Sequence, residues 1–262
     1  MSEAVLLEKR DQVALLTLNR PDRANTINGE LMADLQAHAA DAARDPQVRV
    51  LVVTGAGRHF CGGADLRAMS AGGARPGAGP PGPGLALDWV PKPVIAAING
   101  AAMGGGCEIA LSCDFRLISS SANIGLTEIR FGALPAGGGT ARAPRLIGLR
   151  QAKRLIMIGE PVDAAEALHI GLVDEVLEPE ALLPRAFELA ALLATRAPYA
   201  MRTAKQLLNK TLDLDLATAL ELERTLIARM ATPQEAQAAR DEAAARSSTY
   251  ANIFSKPDAK AD

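Results

Sequence analysis

The run Val94 to Ile98 is short, β-branched at both ends and bounded by Pro93 and by Asn99-Gly100, so it reads as a buried strand. Gly104-Gly105-Gly106 follows, and then Cys107-Glu108-Ile109-Ala110-Leu111 begins a helical run. A strand feeding a glycine turn and a helix commits this part of the chain to an α/β architecture. Glycines there let the backbone approach a ligand closely, and the first turn of a helix offers amides that favour developing negative charge. Glu108 falls about one turn into that helix, where a carboxylate can reach whatever the amides bind. A first-turn glutamate is also an ordinary partner of the helix dipole. What lifts the stretch above that reading is a second acid, Glu128, in Leu126-Thr127-Glu128-Ile129-Arg130-Phe131-Gly132.

The rest of the chain repeats the alternation. Val5 to Leu7 and Val13 to Leu18, on either side of the charged Glu8 to Asp11, predict a hairpin. Asn28 can cap a helix running to Arg44, and Val48 to Val53 and Phe115 to Ile118 read as further strands. This succession predicts a spiral of ββα turns in preference to a doubly wound nucleotide fold. Gly55-Ala56-Gly57 lacks the third glycine and the distal acid of a dinucleotide fingerprint. Ala71 to Gly84 has the composition of a loop, and the lone Trp89 reads as core packing. Thr140 to Ile147 and Arg150 to Ile158 read as helices joined at Gly148, and their basic residues, Arg142 among them, as a solvated face. From Pro179 onward the chain is helical, with prolines at or near several helix starts. In the predicted helix Leu214 to Met230 an apolar arc predicts packing on more than one neighbour. The expected division is therefore 1–178 and 179–262.

Bulk properties exclude several functions. A chain of 262 residues with net charge −2 and 3% aromatics carries neither the basic excess nor the stacking surface of a nucleic-acid binder. No apolar run is long enough to span a membrane, and the N-terminus lacks a signal-peptide pattern, so a cytoplasmic protein is expected. Three cysteines without a C-x-x-C pair and three scattered histidines indicate no metal site, disulfide framework or Ser-His triad.

Taken together, Ala96-Ala97-Ile98-Asn99-Gly100-Ala101-Ala102-Met103-Gly104-Gly105-Gly106-Cys107-Glu108, the later Thr127-Glu128-Ile129-Arg130-Phe131-Gly132-Ala133-Leu134-Pro135-Ala136-Gly137-Gly138-Gly139-Thr140, and Phe60-Cys61-Gly62-Gly63-Ala64-Asp65-Leu66 resemble the crotonase superfamily, most closely the enoyl-CoA hydratases. The resemblance implies a crotonase (ClpP-like) α/β spiral of ββα turns with a C-terminal helical oligomerisation region building trimers or dimers of trimers. It implies reversible addition of water to the α,β double bond of an enoyl-CoA thioester. Glu108 would activate the water, Glu128 would protonate Cα, and the amides of Ala64 and Gly105 would form the oxyanion hole. Arg23, Ala24, Gly63, Asp65, Leu66, Arg67, Gly104, Phe254 and Lys256 would contact the substrate or its coenzyme A. No metal or further cofactor is implied, since coenzyme A is part of the substrate. A Δ3,Δ2-enoyl-CoA isomerase is the alternative within the superfamily, although isomerases often manage with one acid. An RNA-binding protein on the same scaffold is the other alternative, and the near-neutral charge does not favour it. The chain departs from many hydratases at Thr127, where they have proline, and at Ala141-Arg142-Ala143, where they have Gln-Arg-Leu.

Overall fold

The computed structural model describes residues 3–65 and 86–254, with side chains through residue 244. β1 (Val5–Arg10) and β2 (Val13–Leu18) pair as the antiparallel hairpin that their flanking of a charged turn predicts. α1 (Gly29–Arg44) opens where Asn28 Oδ1 accepts a hydrogen bond from Leu31 N at 2.9 Å, and Leu31, Leu35, Ala39 and Ala42 bury one stripe of it. The chain then repeats a strand pair three times: β3 (Val50–Gly55) with β4 (His59–Cys61), β5 (Val94–Ile98) with β6 (Ala101–Met103), and β7 (Phe115–Ser119) with β8 (Asn123–Gly125). α2 (Gly105–Leu111) follows the second pair. β9 (Val162–Asp163) and β10 (Glu175–Leu177) complete two sheets.

Each repeat sends its first strand to one sheet and its second to the other. The larger sheet runs β1-β2-β3-β5-β7-β10 and the smaller β4-β6-β8-β9. From β2 to β10 the larger sheet is parallel. This is the expected spiral of ββα turns. β6 was not foreseen: its three small or flexible residues give too short a signal, yet they carry the glycine turn into the smaller sheet.

The central strands β2, β3, β5 and β7 of the larger sheet are buried on both faces, which accounts for their continuous apolar runs. Alternate residues separate into two cores. Leu16, Leu51, Val53, Val94, Ala96, Ile98 and Ile118 face the one that contains α1, while Leu15, Val50, Val52, Ile95, Ala97 and Leu117 face α5 (Pro179–Ala194). α5 contributes Leu182, Ala186, Ala190 and Ala194 to that second core. For this reason the first compact unit runs to Arg196, beyond the expected break at 178, and the second begins at Ala197.

Between β8 and β9, α3 (Gly139–Lys153) kinks at Gly148, where φ is 73° and ψ 157°, and a π turn follows over Arg154–Ile158. α4 (Ala164–His169) starts at Asp163, whose carboxylate accepts from Glu166 N. The second unit holds α6 (Pro198–Thr211), α7 (Leu216–Ala228) and α8 (Pro233–Phe254). In α7 Ala219 is buried and Leu222 and Leu226 are half-buried, while Leu216, Leu220 and Ile227 stay exposed, so among the described residues only part of the predicted apolar arc is covered. Trp89 also differs from expectation. It is 40% exposed, and its indole N–H donates to Gln36 Oε1 and Ala86 O, which places the ring edge at the surface. The segment 71–84 lies outside the described residues. Among the described residues no helix is long and apolar enough to cross a membrane.

Candidate active site

β4, β6 and β8 run parallel and end side by side, with Cys61 opposite Ala102 and Met103 opposite Gly125. Ligand crevices in α/β sheets form beyond the carboxyl ends of parallel strands, and here each strand delivers one component of the site.

Beyond β4 lie Gly62, Gly63 and Ala64. Ala64 forms a parallel bridge with Ile27, in which Ile27 N donates to Gly63 O and Asp65 N donates to Ile27 O. Because that bridge uses the groups flanking Ala64, the Ala64 amide itself is turned away from Ile27. Beyond β6, Gly104 adopts φ 52° and ψ −118° and gives its amide to Gly125 O, while Gly105 starts α2 with an amide that has no acceptor inside the helix. A side chain on Gly63 would stand 2.8 Å from Met103 O and 3.7 Å from Gly105 N, so the two donor-bearing segments are in contact.

Glu108 is 3% exposed. Its Oε1 accepts from Gly137 N at 2.7 Å and from Gly139 N at 2.8 Å, the latter being the first residue of α3. Burial raises this carboxyl above its ordinary value, while the Gly139 and Gly137 amides and the Arg142 guanidinium favour the ionised form. Glu128 leaves β8 on a short 3-10 turn, Glu128–Phe131. Its Oε2 is buried and has no hydrogen-bond partner among the described residues. Burial pushes its carboxyl up to about 7 against the pull of its own backbone amide, and the nearby Glu108 adds to the rise. Two acids thus stand in one place with unlike environments: one gripped by amides, the other half-buried with its carboxyl raised to about 7.

The remaining predicted residues are placed as follows. Ala24, at φ 51°, accepts from Gly62 N through its carbonyl, so its main chain lies against the β4 segment. Asp65 carries its carboxylate to Arg20 Nη2 at 3.0 Å, and both side chains are largely buried. Arg23 is exposed beside Asp22, 3.6 Å away. Leu66, Arg67 and Lys256 lie outside the described residues, as does the side chain of Phe254 at the end of α8.

Several residues that hold the site were not singled out. Fully buried Asn25, at φ 53°, accepts from Arg20 N and donates to Ala56 O and His59 O at 3.0 and 2.8 Å. It ties the 20–27 loop to β4. An asparagine in a turn region is the one sequence signal for it. Arg142, expected on a solvated face, instead joins Asp88 and the Gly137 carbonyl. No local pattern links residues so far apart.

Residues 8–247 match the family described as enoyl-CoA hydratase/isomerase. The chain is 41% identical to the short-chain-enoyl-CoA hydratase of Clostridium acetobutylicum over 224 residues, covering 84% of this chain and 86% of that protein. It is 38% identical to the crotonyl-CoA hydratase of Syntrophomonas wolfei over 226 residues, covering 84% and 87%. The crystal structure of an enoyl-CoA hydratase from Bacillus anthracis superposes with a TM-score of 0.77 at 36% identity, covering 85% of this chain and 88% of that one.

Proposed function

The chain belongs to the enoyl-CoA hydratase/isomerase family, and from that premise we propose that Glu108 and Glu128 together add water across the α,β double bond of an enoyl-CoA thioester. The chain is an enoyl-CoA hydratase, a hydro-lyase, as its relatives near 40% identity are named. The observation that carries the assignment of roles is the unlike setting of the two carboxyls.

In our reading the thioester carbonyl accepts from the amides of Ala64 and Gly105. Charge gathers on that oxygen as a nucleophile adds at Cβ, and fixed donors stabilise it without reorganising. Glu108, whose ionised form the two amides on its Oε1 favour against burial, takes a proton from water while the hydroxyl bonds to Cβ. Glu128, protonated, gives its proton to Cα, and the C=C bond becomes a C–C single bond. Proton exchange with solvent restores both acids. The reverse sequence is dehydration. One base, one acid and two amides suffice, so we propose no cofactor beyond the coenzyme A of the substrate. Ala24, Gly63, Asp65, Leu66, Arg67 and Gly104 would border the thioester and its pantetheine arm, with Arg23, Phe254 and Lys256 at its distal end.

Migration of a double bond is the second reading, because the family's description includes isomerases. It needs only a shuttled proton, and the presence of two acids in distinct environments favours hydration. We further propose a homo-oligomer, a trimer or dimer of trimers: Phe131, Leu134, Leu149, Met157 and Ile158 are each at least 60% exposed and call for a cover. A cytoplasmic location completes the proposal.

The test is a panel of enoyl-CoA and 3-hydroxyacyl-CoA thioesters given to wild type, Glu108→Gln and Glu128→Gln. Each substitution is expected to slow hydration by about 10²–10⁴-fold, the range for loss of a general acid or base. Hydration that survives both changes, or products that are only isomerised, would overturn the reading.

A further inference from the structure

Arg142 makes three contacts from one guanidinium. Nε and Nη2 donate to Asp88 Oδ2 at 3.1 and 2.5 Å, and Nη1 donates to Gly137 O at 3.0 Å. The side chain is 24% exposed, against 50% for Arg23 and 73% for Arg44, which form surface pairs. Gly137 is also the residue whose amide holds Glu108 Oε1. Its peptide units are therefore gripped from two sides, by the carboxylate on the amide and by the arginine on the carbonyl. Gly138, the next residue, adopts φ 110°, and a Cβ on it would lie 1.8 Å from Arg142 Nη1. The guanidinium packs directly against the backbone of the turn that opens α3.

Asp88 is itself fixed. Its neighbour Leu87 is fully buried and donates its amide to Ser112 Oγ at 3.0 Å, just past the end of α2. Val90 N donates to Leu87 O, and Gln36 Nε2 donates to Ala86 O, which closes the segment onto α1. A buttress anchored in two helices thus ends on the turn that grips the proposed base.

We propose that Arg142, braced by Asp88, is a positioning residue that holds the Gly137–Gly139 turn in the shape that grips Glu108. The inference rests on the assignment of Glu108 as base. Without the brace the turn can relax, the two amides leave Oε1, and the carboxylate loses both its orientation and the donors that favour its ionised form. Misplacement of a reacting group by about 1 Å can cost on the order of 10²-fold in rate.

The experiment compares wild type with Arg142→Gln, Arg142→Lys, Asp88→Asn and the Arg142→Gln/Asp88→Asn double variant. In the first arm, hydration is followed against pH. The expected result is a kcat lower by about 10–100-fold with KM within about twofold, and an acidic limb displaced to higher pH, because the base has lost stabilisation of its charged form. The double variant is expected to be no worse than Arg142→Gln alone, since both changes break one brace. Lysine keeps the charge but cannot span Asp88 and Gly137 O with a fork, so it is expected to restore the limb and leave kcat low.

In the second arm, the Glu108 carboxyl is titrated by ¹³C NMR on glutamate-labelled protein, its signal assigned by its loss in Glu108→Gln. It is expected to titrate higher in Arg142→Gln and Asp88→Asn than in wild type. This arm needs no turnover, so a failure of the hydratase reading leaves it standing. Folded variants with a wild-type kcat, or with an unmoved Glu108 titration, would overturn the proposal. Should Arg142→Gln not fold, Asp88→Asn alone decides by the same two readouts.

Discussion

Glu128 lies over Gly104 so closely that a Cβ on the glycine would stand 3.0 Å from the carboxyl Oε1. Gly104 also holds φ 52° and ψ −118°, a conformation that L side chains avoid. Gly104→Ala is therefore expected to strain the turn by about 1–3 kcal/mol and to push the carboxyl out of line. The expected outcome is a melting temperature lower by several degrees together with at least tenfold slower hydration, measured by thermal unfolding and by steady-state kinetics.

The elevated Glu128 carboxyl links stability to pH with a definite sign. Its value rises from 4.5 to about 7 in the folded chain, so between those limits the folded protein holds a proton that the unfolded chain has released. Stability contributed by this group is present below about 4.5 and is lost as pH climbs through about 7. Glu128→Gln removes that dependence. The variant is expected to gain on the order of 1–3 kcal/mol over wild type at pH 8, discounted for partial solvent access, with the gap closing near pH 4.5. Urea denaturation across this range checks it.

In wild type the same ionisation shapes the rate. If Glu128 delivers a proton to Cα, kcat/KM for hydration falls as pH rises through about 7. The dehydration direction starts from the same total protonation with the proton on Glu108 instead, and the reaction releases no net proton, so its kcat/KM is expected to follow the same limb. A kcat/KM for hydration that stays flat through about pH 7 would contradict the assignment.

Gly105 is the first residue of its helix, a position where proline fits because the amide has no helical acceptor. Gly105→Pro therefore deletes one proposed oxyanion donor with little disturbance of the helix. A loss of about 10²–10³ in kcat is expected, with an unchanged far-ultraviolet circular dichroism spectrum as the control.

Asn25→Ala takes from Arg20 N, Ala56 O and His59 O the partner they have now, at the place of a fully buried side chain. Each buried group left without a partner costs about 1–3 kcal/mol, and alanine tolerates φ 53° less well than asparagine. A loss of at least about 3 kcal/mol in urea denaturation is expected, with a raised KM as the loop against Ala64 loosens.

The parts of this structure that could be read in the sequence are those whose signals are local. The hairpin about Glu8 to Asp11, the Asn28 cap, the kink at Gly148 and the proline-led helices follow from neighbouring residues alone. Glu108 stood out because a glycine turn and an acid are adjacent in the chain. Contacts across 54 residues, such as Arg142 with Asp88, leave no such trace, and a cluster of arginines looks alike whether water or a carboxylate meets it. Trp89 misled for a related reason: a large ring implies burial, but its N–H required partners that lay at the surface. The site's two acids come together only because β6 and β8 are neighbours in the smaller sheet, and β6 is too short to announce itself.

The placement of α5 bears on how this protein can be recombined with its kin. The helix is the floor beneath Val50, Val52, Ile95 and Leu117, so a chimera spliced at residue 178 would import a foreign floor under a native sheet and leave small side chains such as Ala186 and Ala190 facing the wrong contours. A junction after Arg196 leaves that interface intact. The tail to exchange is the one that starts with Ala197, where the second compact unit begins.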